Sequence, residues 1–165
     1  MQKLSWEKKS LEKQLDQNQL KQKVKELRFE KLSIATINGS FDLLHAGHLN
    51  MLYTAACLAD KLIVLLNTDE SIKKYKSKNR PILQLKYRMQ MMSAIEFVDY
   101  VSYFEETDPC RILNLIKPDI HVNGAEYGTN CIEAETVIAN GGKVHIIELV
   151  EGLSTTKIIE KIKKI

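Results

Sequence analysis

Leu62-Ile63-Val64-Leu65-Leu66 is an unbroken apolar run, and no other segment constrains the fold as much. A strand with one wet face alternates apolar and polar residues, whereas a run that is apolar at every position needs cover on both faces. That is the environment of an interior strand in a parallel sheet, whose connections must cross over, usually through helices. The rest of the chain supplies them. Leu32–Ile37 reads as a strand, and Leu49, Leu52, Ala56 and Leu58 after it form a helical stripe. A lysine-rich stretch, Asp69–Arg80, reads as a short helix and loop broken at Pro81. A helix over Leu85–Phe97, a strand at Tyr100–Phe104, a helix at Pro109–Ile116 and a strand at Asp119–Val122 follow. Ile132–Ala139 reads as helix with Gly141-Gly142 as its stop, then Val144–Leu149 as strand and Ser154–Ile165 as a closing helix. Five strands alternating with helices imply an α/β, Rossmann-like, doubly wound parallel sheet with helices on both faces.

The first thirty residues differ in kind. Leu11, Leu15, Leu20, Val24 and Leu27 punctuate a Lys/Glu/Gln-rich segment, which predicts one long helix or two shorter ones packed on the domain or on a partner subunit. The organisation expected is a helical extension over 1–30 and one globular unit over 31–165. At 165 residues and 44% hydrophobic content, the chain has room for a real core. With 24 basic and 21 acidic residues intermixed for a net charge of +3, nothing demands a nucleic-acid partner, and small anionic substrates remain compatible. Cys57, Cys110 and Cys131 are odd in number and far apart, which argues against a disulfide framework or a zinc site. No apolar run approaches the roughly 18 residues of a spanning helix, and the charged N-terminus lacks a signal-peptide core. The expected location is the cytoplasm, with no membrane partner.

Two segments carry chemistry. In Asn38-Gly39-Ser40-Phe41-Asp42-Leu43-Leu44-His45-Ala46-Gly47-His48, a strand passes into a helix through two histidines flanking a glycine. The first helical turn presents unpaired N–H groups and a partial positive charge, an anion site to which His45 and His48 add aimed donors. Gly47 removes a side chain where a ligand would approach the backbone. A structural histidine pair, or a metal pair lacking a third ligand, is the plainer alternative. The second segment is Gly152-Leu153-Ser154-Thr155-Thr156-Lys157-Ile158. Gly152 makes a turn, and Ser154 is a candidate N-cap for a helix whose buried face would be Ile158, Ile159 and Ile162. Three successive hydroxyls exceed what capping needs, so the remaining ones can hold phosphate oxygens. Both helix N-termini follow strands of one parallel sheet and face the same edge, where they can grip one polyphosphate.

These two motifs, in this order, resemble the cytidylyltransferase-like branch of the HIGH-motif nucleotidyltransferases, over roughly residues 32–163. Within that branch the chain looks most like the D-glycero-β-D-manno-heptose 1-phosphate adenylyltransferases. The supporting residues are Asn67-Thr68-Asp69-Glu70-Ser71, Arg80-Pro81-Ile82, Arg88, Val98-Asp99-Tyr100-Val101, Lys117-Pro118-Asp119 and Asn123-Gly124-Ala125-Glu126-Tyr127. The resemblance implies that a sugar-phosphate oxygen attacks the α-phosphorus of a nucleoside triphosphate, most simply ATP with Mg²⁺, and releases pyrophosphate. It implies His45, His48 and Thr155 as catalytic groups, with Ser154, Thr155 and Thr156 on the β- and γ-phosphates. Asn38, Gly39, Ser40 and Phe41 would border the nucleotide, and Asp42 would orient the site or bind metal through water. Arg80 and Arg88 are candidate phosphate ligands, because arginine can engage phosphate bidentately. Asn67, Asp69, Gly47, Asn123, Gly124, Glu126 and Gly152 complete the set drawn toward the ligands. No protein ligand of the metal is assigned, and the implied assembly is a homodimer.

Two departures stand out. Family members commonly carry roughly Lys-Gly-Gly-Asp after the fourth strand, where this chain has Asn123-Gly124-Ala125-Glu126; an uncharged Asn at the lysine position would weaken attraction to a substrate phosphate, and the expectation is an acceptor bound differently. Glycerol-3-phosphate cytidylyltransferases usually place an arginine shortly before their Gly-Ile-Ser-Thr-Thr, and this chain reads Glu148-Leu149-Val150-Glu151. A cytidylyltransferase for glycerol 3-phosphate or phosphoethanolamine remains the enzyme alternative, and a nucleotide-binding module without turnover the alternative from another class. A class I aminoacyl-tRNA synthetase is excluded by length and by the absence of Lys-Met-Ser-Lys-Ser. A dinucleotide oxidoreductase is excluded because only Gly39 and Gly47 follow the first strand.

Overall fold

A computed structural model describes residues 5–125, 128, 131–148, 150 and 152–165. Its centre is a five-stranded sheet in which every pairing is parallel: β1 (Ile34–Gly39), β2 (Lys61–Asn67), β3 (Tyr100–Phe104), β4 (Ile120–Gly124) and β5 (Lys143–Ile147). The spatial order is β3-β2-β1-β4-β5, the doubly wound arrangement. Chain order runs outward from β1 through β2 to β3, then returns to the other side of β1 for β4 and β5. Between the carboxyl ends of β1 and β4 the order reverses, and ligands bind such sheets at that crevice.

The apolar run at 62–66 behaves as its composition dictates. Leu62, Val64 and Leu66 project to one face, where they meet Leu52 and Ala55 of α3 (Ala46–Ala56) and Met89 and Met92 of α5 (Leu85–Ser93). Ile63 and Leu65 project to the other face. There they meet Leu20, Val24 and Leu27 of α2 (Gln17–Phe29), Ile112, Leu113 and Ile116 of α6 (Cys110–Ile116), and Val137 of α7 (Ile132–Ala139). Burying all five side chains contributes on the order of 10 kcal/mol of gross transfer free energy, at roughly 1.5–3 kcal/mol each.

The N-terminal segment forms two short helices rather than one: α1 (Trp6–Ser10), a 3-10 turn (Leu11–Lys13) and α2. Asp16 starts α2 through a reciprocal capping box with Gln19. The link between the helices runs along β3, where Gln14 bridges Val101 and the Leu15 N–H donates to the Val101 carbonyl at 2.8 Å. Residues 69–80 begin with α4 (Asp69–Tyr75), and α8 (Thr155–Ile162) closes the fold.

Two expectations need correction. The helix predicted over Leu85–Phe97 stops at Ser93, and Ile95–Val98 turn back toward β3. The turn is held from outside by Lys13, whose ammonium donates to the carbonyls of Ile95 at 3.0 Å and Val98 at 2.6 Å. Of the predicted buried face of α8, Ile158 and Ile159 are half-buried and Ile162 is exposed. Leu149, expected to end β5, lies outside the described residues. No helix among the described residues is long and apolar enough to cross a membrane.

Candidate active site

The β1–α3 connection carries the first motif in a strained loop. Phe41 and Leu43 both have left-handed φ values, 44° and 51°, which cost bulky residues about 1–3 kcal/mol each and concentrate at functional sites. The loop is held open by Asp42, which is fully buried. Asp42 Oδ2 accepts from Arg80 Nε at 3.0 Å and from the Ile82 N–H at 2.8 Å, and Oδ1 accepts from the Leu83 N–H at 2.9 Å. Gly39 leaves the space that the Phe41 ring fills, since a Cβ there would lie 3.3 Å from it.

Arg88 supports the same loop from below and is 1% exposed. Its guanidinium donates to the carbonyls of Leu83 at 3.0 Å, Ser40 at 2.7 Å and Asn67 at 2.9 Å, and to Asp69 Oδ1 at 2.7 Å. The sequence expectation that Arg88 and Asp69 meet ligand is therefore corrected. The pair is committed to joining the ends of β1, β2 and the start of α5, where Asp69 Oδ1 also accepts from the Leu85 N–H at 2.9 Å. Arg80, likewise expected at phosphate, is paired with Asp42, its Nη2 lying 2.9 Å from Oδ2. Asp42 in turn has both oxygens occupied by the protein.

His45 occupies the N-cap position of α3 and His48 its third residue. Their rings are stacked, with centroids 3.8 Å apart and planes 21° from parallel, and Phe41 meets His48 edge-on at 5.4 Å. Gly47 serves this stack. A Cβ at 47 would lie 3.0 Å from His45 Nδ1 and 3.1 Å from Cε1, so a side chain there would press on the His45 ring. Burial pushes the His45 imidazole below its ordinary pKa and His48 down to about 4. For His48, desolvation is the largest cause, followed by His45 and the Lys76 charge, with Asp42 opposing. Both rings are neutral near pH 7. Among the described residues their Nδ1 atoms are buried without a hydrogen-bond partner.

The second motif arrives on α8. Ser154 caps the helix, its Oγ accepting from the Lys157 N–H at 3.2 Å, after Gly152 turns the chain at φ 80°. Thr155 Oγ1 donates to the Asp42 carbonyl at 2.8 Å and so ties α8 to the β1–α3 loop, 113 residues earlier. Of the three hydroxyls, one caps, one ties the motifs together, and Thr156 faces the cleft uncommitted among the described contacts. His45, Gly47, His48, Ser40, Lys76 and residues 153–156 enclose a space of about 200 Å³. It opens at Ser40, His48, Met51 and Lys76 into a larger cleft of about 480 Å³, over the carboxyl ends of β1, β2 and β4. Asn38, Gly39, Phe41, Asn67, Asn123 and Gly124, all candidates from the sequence, line the larger space. Among the described residues the Asn38 Oδ1 is buried there without a partner, while Asn67 bonds Ser71 and Tyr75. Glu126 lies outside the described residues.

Sequence reasoning missed Lys76, which lines both spaces and donates to Ser40 Oγ at 3.1 Å. It is one of several lysines between 73 and 78, and nothing local distinguishes it. Glu133 was missed too, because an acid in a first helical turn reads as ordinary dipole complementation. His121 is structural as expected from its strand: fully buried, 2.8 Å from Thr36 Oγ1 through Nδ1, its pKa lowered to about 4 by burial. His145, expected to be structural too, is exposed on β5.

Comparison with known proteins agrees with this geometry. The cytidylyltransferase-like family model matches residues 36–161. The bifunctional protein HldE of Klebsiella pneumoniae is 42% identical over 151 residues, 91% of this chain and 32% of that protein. HldE of a Marinomonas species is 38% identical over 148 residues, 89% of this chain and 31% of that protein. The chain thus spans about a third of the length of the curated relatives it matches. Among solved structures, a lipopolysaccharide core biosynthesis protein from Thermoplasma volcanium superposes with a TM-score of 0.59 at 27% identity, covering 72% of this chain and 97% of that one. Pantoate-β-alanine ligase from Francisella tularensis, at 16% identity, shares the fold, with a TM-score of 0.60 over 92% of this chain and 78% of that one. The strand-to-helix histidine pair, its threonine tie to the last helix and the match over residues 36–161 agree, and the chain belongs to the cytidylyltransferase-like family of nucleotidyltransferases.

Proposed function

We propose that the chain transfers the adenylyl group of Mg²⁺-bound ATP to a sugar phosphate, D-glycero-β-D-manno-heptose 1-phosphate, giving ADP-heptose and pyrophosphate. One observation carries the proposal: the N-termini of α3 and α8 bound a single space that holds two stacked, neutral histidines. A triphosphate there meets first-turn amides from two helices, the Thr156 hydroxyl and imidazole N–H donors, all suited to an anion. The acceptor phosphate oxygen attacks the α-phosphorus in line from the larger cleft. The bond from that phosphorus to its bridging oxygen breaks, and pyrophosphate leaves on the α8 side. His45 and His48 stabilise the charge on the equatorial oxygens, and Thr155 fixes the distance between the two motifs; no covalent enzyme intermediate is required.

The metal enters with the substrate. Among the described residues no group of three or more His, Cys, Asp or Glu side chains can hold an ion, and the oxygens of Asp42 are engaged by Arg80 and two amides. That donor set suits a cation carried by the triphosphate, which supplies charge neutralisation at the departing pyrophosphate. The proposal includes residues 31–165 as the transferase unit with 1–30 as its packed extension, the cytoplasm as compartment and a homodimer as the assembled state. Free Cys57, Cys110 and Cys131 and exposed Ile132, Ile138 and Ile162 support the last two points.

The test is pyrophosphate release with ATP or CTP, each offered heptose 1-phosphate, glycerol 3-phosphate and phosphoethanolamine. Release with ATP and heptose 1-phosphate is the expected result. Release confined to CTP with a smaller acceptor would move the activity to the cytidylyltransferases, and silence throughout would overturn the substrate assignment.

A further inference from the structure

The floor of the larger cleft holds a carboxylate that the transfer chemistry does not use. Glu133, in the first turn of α7, is 6% exposed, and Asn123 at the end of β4 is 4% exposed. Among the described residues Asn123 Nδ2 is the donor that reaches Glu133, at 3.4 Å to Oε2, and Glu133 forms no ion pair. Burying a carboxylate is costly unless its lone pairs are filled. One long amide bond leaves most of its four acceptor sites unused, and the positive end of α7 offsets only part of that cost. An ionised carboxylate accepts and cannot donate, so whatever completes its shell must bring donors.

The charges around the cleft give it a direction. Lys76 stands where the two spaces join, whereas Asp108 and Glu133 line the larger space alone, beside Asn123 and Cys131. An acceptor with a phosphate at one end and hydroxyls along its body fits one way only. The phosphate is attracted to Lys76 and repelled by the acids, so the body extends toward Glu133. A space of about 480 Å³ is the size of a site for a multi-ring or polyhydroxylated ligand.

Resting on the sugar-phosphate reading above, we propose that Glu133 is the specificity-determining residue for the acceptor, its carboxylate accepting hydrogen bonds from sugar hydroxyls while Asn123 holds it in place. Donor and acceptor sites then discriminate by opposite means: neutral N–H groups for the triphosphate, a buried negative charge for the polyol. A hydroxyl-reading site rejects an analogue lacking the hydroxyl strongly, because the carboxylate is left without its donors.

The experiment uses the full chain with ATP and heptose 1-phosphate, comparing Glu133→Gln with wild type. The expected result is an acceptor KM raised roughly tenfold to a hundredfold, the range for loss of a hydrogen bond to a charged group. The ATP KM should stay within about twofold, with an unchanged urea midpoint. Monodeoxy acceptors, discriminated against by wild type, should be accepted by E133Q almost as well as the parent sugar. If E133Q fails to fold, Asn123→Ala carries the same test with an acceptor KM raised about fivefold. An unchanged acceptor KM in folded E133Q, or an equal rise for ATP, would overturn the proposal alone. So would a wild-type preference for phosphoethanolamine that E133Q loses, since the carboxylate would then be reading an ammonium. A wild type that releases no pyrophosphate with any sugar phosphate overturns the parent reading, and this one with it.

Discussion

Arg88→Met separates a structural arginine from a phosphate-binding one. Methionine matches the length of the aliphatic stem but leaves the carbonyls of Ser40, Asn67 and Leu83 and the Asp69 carboxylate without the guanidinium. The bonds to Ser40 and Asn67 are buried, so their two acceptors each lose about 1–3 kcal/mol. Asp69 is partly hydrated, its side chain 30% exposed, and adds less. The sum is about 4 kcal/mol, in the range for breaking a buried ion pair. It is a large fraction of the roughly 5–15 kcal/mol of a typical domain. With a urea slope of about 2 kcal/mol/M the unfolding midpoint should fall by about 2 M. Arg88→Lys keeps the charge but cannot fork over three carbonyls, and should recover about half of the loss. Urea unfolding followed by far-UV circular dichroism gives the midpoints. A midpoint unmoved in R88M, together with a raised ATP KM, would refute the structural assignment and return Arg88 to the phosphates.

Three further outcomes follow from the site and the core. His48→Ala should lower kcat at least roughly 10²-fold with the fold intact, the usual cost of one preorganised donor; near-normal turnover would remove His48 from the chemistry. Gly47→Ala should lower turnover by pushing the His45 ring out of its stack, while the melting temperature moves little, and full activity would show that the stack is not needed. His121 takes up a proton near pH 6.5 in the unfolded chain but only near pH 4 when folded, so its contribution is fully present above pH 6.5 and lost as pH falls toward 4. That loss totals roughly 3 kcal/mol. His121→Asn should flatten the stability profile between those values relative to wild type, and parallel profiles from pH 7 to pH 4 would contradict the burial argument.

What the sequence made legible was whatever short-range chemistry encodes. β2 follows from its continuous apolar run, the other strands from short apolar-rich stretches between helical patterns, and β3 and α7 fall on the residues expected because apolar spacing and the glycine stop at 141–142 agree. The end of α5 was illegible because Ile95 and Phe97 continue a helical spacing, while the group that captures the turn is Lys13, 82 residues away. The motif residues announced a phosphate site, yet the division of labour within it depends on partners far along the chain. Asp42 meets Arg80, Arg88 meets Ser40, and Thr155 meets Asp42. An arginine near a glycine-rich motif looks the same whether it points at a ligand or at three carbonyls. Only the fold supplies the carbonyls.

The bridge from Gln14 and Leu15 to Val101 bears on how this protein meets its neighbours. A parallel sheet exposes two rows of unpaired peptide groups, each a template for another chain. At the β3 margin the N-terminal link already lies across that row and seals part of it with its own backbone. At the β5 margin Lys143 and His145 stand exposed, and a charged lysine there deters an incoming strand. One border is partly sealed by the chain's own peptide groups and the other carries an exposed lysine, which favours association through side-chain surfaces over extension of the sheet from copy to copy.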